Sequence, residues 1–254
     1  MRGGIHNGLL ILVNAEHPIQ HMERPVLAPA VPGSDILLDT RAAAMLSGVI
    51  SRIGAAGEIV PVSGWRSEAE QREIWDGSMR DSGEEFTRKY VALPGCSEHQ
   101  TGLAIDLALR ADNIDFIRPE FPYDGVCGRF RALAADYGFV ERYQSGKEGV
   151  TGIAAEPWHF RYVGRPHASL IAERGLALEE YLELLDGHAT RETALVCRDG
   201  AHAYAIWRVT AQDGPLTEVC LGGRGETGRT DGASMPHAVS GDNRGGFVVT
   251  QRLA

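Results

Sequence analysis

The sequence predicts an α+β protein that ends in a small β-rich extension. In residues 1–187, apolar residues recur at helical spacing in several segments, and short apolar or β-branched runs separate those segments. Residues 190–254 have a different texture, with many glycines and strand-like runs but no long helical pattern. We therefore expect a main domain over residues 1–187 and a small β extension over residues 190–254.

The helices are predicted from apolar spacing and from signals at their ends. Ser67 is followed three residues later by Glu70, which is a capping-box pattern at the start of a helix. Gly138 directly follows another helical pattern, at a position where glycine commonly ends a helix. The predicted helices cover residues 39–52, 67–81, 124–137 and 178–185.

The strands are predicted from short apolar and aromatic runs. The run from Gly102 to Leu109 is almost continuously apolar, as in a strand buried on both faces. Pro157 near the start of another run predicts a turn or bulge there. The predicted strands cover residues 58–64, 102–109, 156–163, 203–209 and 246–250, with a further strand and an extended arm in residues 8–38 and a mobile loop at residues 222–245.

The charge and hydropathy of the chain exclude several kinds of partner. The formal net charge is −9, which argues against nucleic acid or an anionic membrane as the main partner. No stretch approaches the roughly 18 apolar residues of a membrane span. The apolar run Leu9–Val13 is too short for a secretory signal. We therefore expect a cytoplasmic protein.

Asp106 is the first candidate for a functional residue, because it interrupts the apolar run from Gly102 to Leu109. A buried carboxylate costs several kcal/mol unless it is paired or bound to a metal, so an arginine partner is the structural alternative. His99 precedes this strand, and His159 lies in another strand-like segment, three residues after Glu156. Two imidazoles and one carboxylate, with one position left for water, are what a catalytic zinc site requires.

These segments carry a resemblance to a known family. The chain resembles the zinc D-Ala-D-Ala carboxypeptidases and dipeptidases of vancomycin resistance, and in particular the bifunctional VanXY group. The resemblance covers roughly residues 8–187, and the C-terminal extension is similar to that of the G-type VanXY enzymes. The motifs that carry it are Ser97-x-His99-x-x-Gly102-x-Ala104-x-Asp106 and Glu156-x-Trp158-His159, together with the stretches at residues 90–94 and 156–164.

The resemblance implies a fold and a metal site. The fold would be that of the D-Ala-D-Ala peptidases and the zinc-binding domain of Hedgehog proteins, with a central antiparallel sheet that carries zinc on one face and helices on the other. His99, Asp106 and His159 would bind one zinc ion per chain. Glu156 would act as general base and proton shuttle.

The resemblance also implies residues that contact the substrate. Arg66 would stabilise the oxyanion of the tetrahedral intermediate, and it follows a buried strand through a Ser-Gly turn, where a guanidinium can be directed inward. Gln71 and Ser97 would hold the terminal portion of the substrate, and Trp158 would help to shape the pocket. The structural alternatives are an ion pair of Arg66 with Asp106 or Glu156, and simple core packing for Trp158.

The implied substrates are the D-Ala-D-Ala dipeptide and the stem peptides of peptidoglycan precursors that end in D-Ala. The preference between them depends on loops that the sequence leaves open. One alternative is an L-Ala-D-Glu endopeptidase of the same fold. Another is a zinc-binding module without turnover, for which a general base such as Glu156 would have no use.

Overall fold

The structure, a computed structural model, describes residues 4–212 and 237–253. Internal contacts divide the chain into two compact units. The main unit is Val13–Glu179, and the C-terminal unit combines Met1–Leu12 with Glu180–Ala254. The sequence placed residues 1–12 in the main domain, whereas the structure groups them with the C-terminal residues. The functional division of the chain stays a prediction.

The main unit alternates short strands with helices. In chain order its elements are β1 (Leu27–Pro29), β2 (Leu37–Asp39), α1 (Thr40–Arg52), β3 (Ile59–Ser63), α2 (Glu68–Asp81), α3 (Gly83–Tyr90), a 3₁₀ turn (Glu98–Thr101), β4 (Ala104–Leu109), α4 (Gly125–Ala134), a second 3₁₀ turn (Ala135–Tyr137), β5 (Phe139–Glu141), α5 (Glu148–Thr151), β6 (His159–Tyr162) and α6 (His167–Arg174). Helix α7 (Leu178–Asp186) continues from the main unit into the C-terminal unit. Among the described residues, no helix combines the length and apolar character that crossing a membrane requires.

A four-stranded antiparallel sheet, in the order β3-β4-β6-β5, forms the centre of the main unit. Ala104–Ala108 of strand β4 are all buried, as the continuous apolar run predicts. Strands β1 and β2 form a separate antiparallel ribbon. The antiparallel sheet with accompanying helices confirms the predicted α+β class.

Side-chain caps explain where the predicted helices begin. Helix α2 begins with a complete capping box, in which the Ser67 hydroxyl accepts from the Glu70 amide at 3.2 Å and the Glu70 carboxylate accepts from the Ser67 amide at 2.7 Å. At the start of α1, the Asp39 carboxylate accepts from the Arg41 amide at 3.0 Å. Such caps satisfy backbone donors that have no partner within the helix.

The C-terminal unit is a second antiparallel sheet. Its strands are β7 (Leu195–Asp199), β8 (His202–Thr210), β9 (His237–Gly241) and β10 (Gly246–Arg252), in the order β7-β8-β10-β9. Ala205, Trp207 and Val249 form its buried centre. Strands β8 and β10 confirm two predicted strands. The loop predicted at residues 222–245 is wrong at its end, because β9 lies there, and residues 222–236 lie outside the described part of the chain.

The strand predicted at the start of residues 8–38 is also wrong. Leu10, Ile11 and Leu12 are buried, but they lie in no strand. The Leu10 amide donates to the Ser240 hydroxyl at 2.8 Å, and the Leu12 amide donates to the Asp242 carbonyl at 3.0 Å. The apolar run therefore predicts burial correctly, while these backbone groups bond to a side chain and a turn of the C-terminal unit.

Strand register and one glycine position the candidate site residues. Asp106 on β4 is the register partner of His159 on β6 and of Ser63 on β3. The 3₁₀ turn before β4 ends at Gly102, whose φ is +72°. A Cβ at Gly102 would lie 3.2 Å from the Asp39 amide nitrogen. Glycine thus allows both the left-handed backbone and the close approach that place residue 99 beside the sheet.

Candidate metal centre and active site

His99, Asp106 and His159 form a buried cluster at one end of β4 and β6. One potential ligand atom from each residue lies within 4.8 Å of the other two. Asp106 contacts both rings, with its Oδ1 2.8 Å from His159 Nδ1 and its Oδ2 3.2 Å from His99 Nε2. The short contacts of this buried carboxylate are therefore to the two imidazoles, so a metal cluster fits better than the alternative pairing with an arginine.

The outer hydrogen bonds of the two rings determine which nitrogens face the cluster. His99 Nδ1 lies 2.7 Å from the carbonyl oxygen of Gly64, so this nitrogen carries the proton and donates it. His159 Nε2 lies 3.3 Å from Glu98 Oε2, a carboxylate oxygen that can only accept. The remaining nitrogens, His99 Nε2 and His159 Nδ1, face the carboxylate of Asp106. A positive ion between these atoms would stabilise that arrangement.

The ionisation of the cluster also favours a positive charge at this point. Burial would raise the pKa of Asp106, but the His99 and His159 imidazoles outweigh it and hold that pKa well below its usual range. Burial, reinforced by Arg66, lowers the pKa of His99 to about 4. For His159, burial is outweighed by the hydrogen bonds to Asp106 and Glu98, which raise its pKa to about 9. The donor set and its charge therefore suit a metal cation.

Glu156 lies beside the cluster because of a turn before β6. The turn covers Pro157 and Trp158, and the His159 amide donates to the Glu156 carbonyl at 3.1 Å, which confirms the predicted turn. Glu156 Oε2 is 3.9 Å from His159 Nδ1. Burial raises the pKa of Glu156 to about 8, by more than the His159 imidazole lowers it. A carboxyl group that titrates near neutral pH can both take up and release a proton.

A cleft with an empty volume of about 500 Å³ opens onto the cluster. The structure brings every site residue predicted from the sequence to this one cleft. They are Arg66, Gln71, Ser97, His99, Asp106, Glu156, Trp158 and His159. Ile74, Tyr90, Phe116 and Ile117 are among its apolar lining residues.

Two polar atoms in the cleft wall lack hydrogen-bond partners among the described residues. They are Arg66 Nε, a donor, and Gln71 Oε1, an acceptor. Gln71 is fixed by its other amide atom, since Nε2 donates to the Ala92 carbonyl at 2.7 Å. Burial lowers the pKa of Arg66, while Asp106 and Glu156 oppose that shift. Buried polar groups are nearly always paired, so an unpaired donor and acceptor in one cleft indicate groups that a ligand would satisfy.

No functional role was predicted from the sequence for Glu98, Arg142 or Tyr143. Glu98 is 1% exposed and ion-paired with Arg142 and Arg161. The Tyr143 ring stacks on the His159 ring, with centroids 5.3 Å apart and an interplanar angle of 29°. For Glu98 a signal existed, because this charged residue lies inside the motif between Ser97 and His99. Arg161 also holds this carboxylate, because its Nη1 donates to Glu98 Oε1 at 2.7 Å.

Comparison with known proteins agrees with this geometry. The family model described as "VanY: D-alanyl-D-alanine carboxypeptidase" matches residues 35–165, which is just over half of the chain. The chain belongs to the VanY family of D-alanyl-D-alanine carboxypeptidases. The predicted family is thereby confirmed, and with it the prediction that the chain is an enzyme.

This VanY-family chain is similar both to a bifunctional dipeptidase and carboxypeptidase and to a dipeptidase. The bifunctional D-Ala-D-Ala dipeptidase and D-Ala-D-Ala carboxypeptidase VanXYC of Enterococcus gallinarum is 41% identical over 180 residues, which cover 69% of this chain and 94% of that protein. The crystal structure of the vancomycin resistance D,D-dipeptidase VanXYg in complex with a D-Ala-D-Ala phosphinate analog has a TM-score of 0.87 and 43% identity. It covers 98% of this chain and 95% of that one, so the similarity includes the C-terminal unit.

A third structure bears on the metal. It is a mutant of the D,D-pentapeptidase VanY from a VanB-type resistance cassette, in complex with Zn(II). It has a TM-score of 0.57 and 32% identity, and covers 68% of this chain and 98% of that chain. The part of this chain that it covers is about the size of the main unit alone.

Proposed function

We propose that this VanY-family enzyme is a zinc-dependent D,D-peptidase that hydrolyses a D-Ala-D-Ala terminus in the free dipeptide, in peptidoglycan stem peptides, or in both. The observation that carries the proposal is the buried His99–Asp106–His159 cluster with Glu156 beside it, at the bottom of a cleft. The similarity to the D-Ala-D-Ala peptidases VanXYC and VanXYg supports this substrate class over an L-Ala-D-Glu endopeptidase or a non-catalytic zinc module.

The donor set fits zinc. Catalytic zinc sites combine three nitrogen or oxygen ligands from the protein with one open position. His99 through Nε2, His159 through Nδ1 and a carboxylate oxygen of Asp106 would hold the ion. Bound there, zinc would supply Lewis acidity, which lowers the pKa of water to about 7.

Glu156 would move the proton in the reaction. Its carboxylate would take a proton from the attacking water and deliver it to the nitrogen of the departing D-alanine. Glu156 lies beside the proposed metal ligands, with its Oε2 3.9 Å from His159 Nδ1. The raised pKa of Glu156 supports this assignment, because a proton held in a buried site can be transferred in either direction.

The remaining cleft residues would bind and polarise the substrate. Arg66 would donate to the oxyanion that develops on the scissile carbonyl, where a preorganised donor in a buried site is most effective. Gln71 and Ser97 would hold the terminal portion of the peptide, and Trp158 would form a wall of the pocket. The unpaired Arg66 Nε and Gln71 Oε1 support these assignments.

We propose that the hydrolysis takes place in the cytoplasm, where it would remove the D-Ala-D-Ala ending that vancomycin binds.

The test is release of D-alanine from D-Ala-D-Ala and from a pentapeptide stem ending in D-Ala-D-Ala, measured with and without a zinc chelator. L-Ala-L-Ala is the matched control substrate. We expect chelator-sensitive release from at least one of the D,D-substrates and none from the L,L-dipeptide. Cleavage only at an L-Ala-D-Glu bond, or release that persists after complete zinc removal, would overturn the proposal.

A further inference from the structure

A buried network of charges lies beside His159 and is centred on Glu98, which also lines the cleft. Glu98 Oε1 accepts from Arg142 Nε at 2.9 Å and from Arg161 Nη1 at 2.7 Å. The other carboxylate oxygen, Oε2, lies 3.3 Å from His159 Nε2. Glu98, Arg142 and Arg161 are each 1% exposed or less.

We propose that Glu98 is a positioning residue that accepts the hydrogen bond of His159 Nε2 and thereby fixes the ring with Nδ1 toward Asp106. This inference rests on the proposed metal site. Metal-binding histidines commonly donate their second ring N–H to a carboxylate or carbonyl, which sets the tautomer and the orientation of the ring. His99 has a backbone carbonyl in that position, and His159 has Glu98.

The two arginines hold Glu98 in this orientation. They engage Oε1, so that Oε2 is directed at His159. Arg142 is itself anchored by Glu179, with Nη1 donating to Oε2 at 2.7 Å and Nη2 donating to Oε1 at 2.8 Å. Two arginines and two glutamates therefore balance each other's charge inside the protein, as buried charges must.

Both the plane and the rotation of the His159 ring are thus restrained. Tyr143 stacks on one face of the ring, with a centroid separation of 5.3 Å. Stacking alone leaves the ring free to flip about its long axis, which would exchange the positions of its nitrogen and carbon atoms. The hydrogen bond from Nε2 to Glu98 opposes that flip together with the contact of Nδ1 with Asp106, because ring carbons would make far weaker contacts with the two carboxylates.

The charge state of residue 98 can be tested with Glu98→Gln. A carboxylate has only acceptors, whereas an amide has one oxygen acceptor and a nitrogen donor. In this variant the side-chain oxygen would still accept from the two arginines, so the amide nitrogen would face His159 Nε2. Two N–H donors would then point at each other. The matched control is Glu179→Gln, which removes the same charge from the same network through Arg142 but has no contact with His159 in the described structure.

The experiment measures zinc affinity of the full-length variants by competition with a chromophoric chelator, and the visible spectrum of cobalt-substituted protein. We expect Glu98→Gln to weaken zinc binding by about 10- to 100-fold and to alter the cobalt spectrum. Glu179→Gln should lose similar thermal stability yet keep affinity and spectrum near wild type. Equal effects of both variants on affinity, or no effect of either, would show that Glu98 is only structural.

A second measurement needs no variant. In zinc-loaded protein with ¹⁵N-labelled histidine, the proposal requires His159 to carry its proton on Nε2, and a proton on Nδ1 would overturn it even if Glu98→Gln failed to fold. The proposed function and the role of Glu98 can fail separately. Wild-type protein that binds zinc but releases no D-alanine would contradict the proposed activity, and the zinc affinities of the variants could still be compared. Wild-type protein that binds no zinc overturns both.

Discussion

Asp106 and His159 face each other as register partners on neighbouring antiparallel strands, and Asp106 Oδ1 lies 2.8 Å from His159 Nδ1. The two residues are 53 positions apart in the sequence. Pairing of β4 with β6 therefore brings together two of the proposed metal ligands. The 3₁₀ turn before β4 supplies the third ligand, His99. Because two of the three proposed ligands lie on the central sheet and the third lies in the turn that leads into it, metal binding and folding of this unit should be thermodynamically linked.

The first prediction concerns this linkage. Asp106→Asn should lose zinc and activity together, since a neutral amide is a poorer ligand and no longer attracts positive charge to His159 Nδ1. Metal analysis measures the zinc, and added chelator should lower the melting temperature of wild type but not of the variant. Asp199→Asn, a buried aspartate of the C-terminal sheet, is the control and should keep its zinc. Full zinc occupancy in Asp106→Asn would move the site elsewhere.

The second prediction separates catalysis from metal binding. Glu156→Gln should keep zinc and fold, but lower kcat by about 10²- to 10⁴-fold, the usual contribution of a positioned acid or base. The amide preserves the shape of the side chain and removes its basicity. Glu148→Gln on helix α5 is the control and should be silent. If Glu156→Gln retained normal turnover with zinc bound, another group would have to be the base.

The third prediction tests the geometry of the guanidinium in the cleft. Arg66→Lys should be costly although it keeps the charge, because an ammonium on a flexible stem cannot reproduce a planar fork of donors. The loss should fall on kcat more than on KM if Arg66 acts mainly on the transition state. Arg72→Lys, an exposed residue of α2 that pairs with Glu68, provides the control. An effect confined to KM would assign Arg66 to ground-state binding of the substrate.

The proposed functional residues that line the cleft could be predicted from the sequence, whereas the buried charged residues that support them could not. The eight predicted residues lie in short motifs that place them relative to a buried strand and two turns, and all of them line one cleft. Arg142 gave no such signal, since an arginine in an irregular segment suggests a solvated side chain. Its partners Glu98 and Glu179 are 44 and 37 positions away, and only the folded chain brings them together.

The same distinction holds for the secondary structure. Helix α1 has an apolar face and α2 begins with a capping box, and both were predicted within a few residues. Helices α3 and α6 have eight residues each and strand β5 has three, which is too short for a periodic pattern to emerge. These elements are stabilised by tertiary contacts rather than by their own sequence.

The fourth prediction concerns the grouping of residues 1–12 with the C-terminal unit. A chain truncated to residues 1–187 would retain Leu10 and Leu12 without the Ser240 hydroxyl and Asp242 carbonyl to which their amides donate. We expect it to aggregate, and a chain of residues 13–187 to be more soluble and to bind zinc. Sedimentation and metal analysis compare the two. Equal solubility would show that residues 1–12 do not depend on the C-terminal sheet, and a zinc-free 13–187 chain would show that the main unit does not fold alone.

The last prediction is a pH dependence of stability from His167, at the start of α6 and away from the proposed metal ligands. Burial lowers the pKa of His167 to about 4 from its ordinary value of 6.5. The unfolded chain therefore binds a proton at His167 more readily than the folded protein does. Its stabilising contribution is complete above pH 6.5 and is lost as the pH falls toward 4.

The non-titrating variant His167→Gln isolates this contribution, because the other titrating groups are common to both proteins. Between about pH 7 and pH 5, the stability difference between wild type and variant should shift by roughly 2 kcal/mol in favour of the variant. Urea unfolding at the two pH values, with zinc held saturating, measures the shift. Parallel pH profiles for the two proteins would mean that His167 can be protonated in the folded state without cost, and hence that water reaches it.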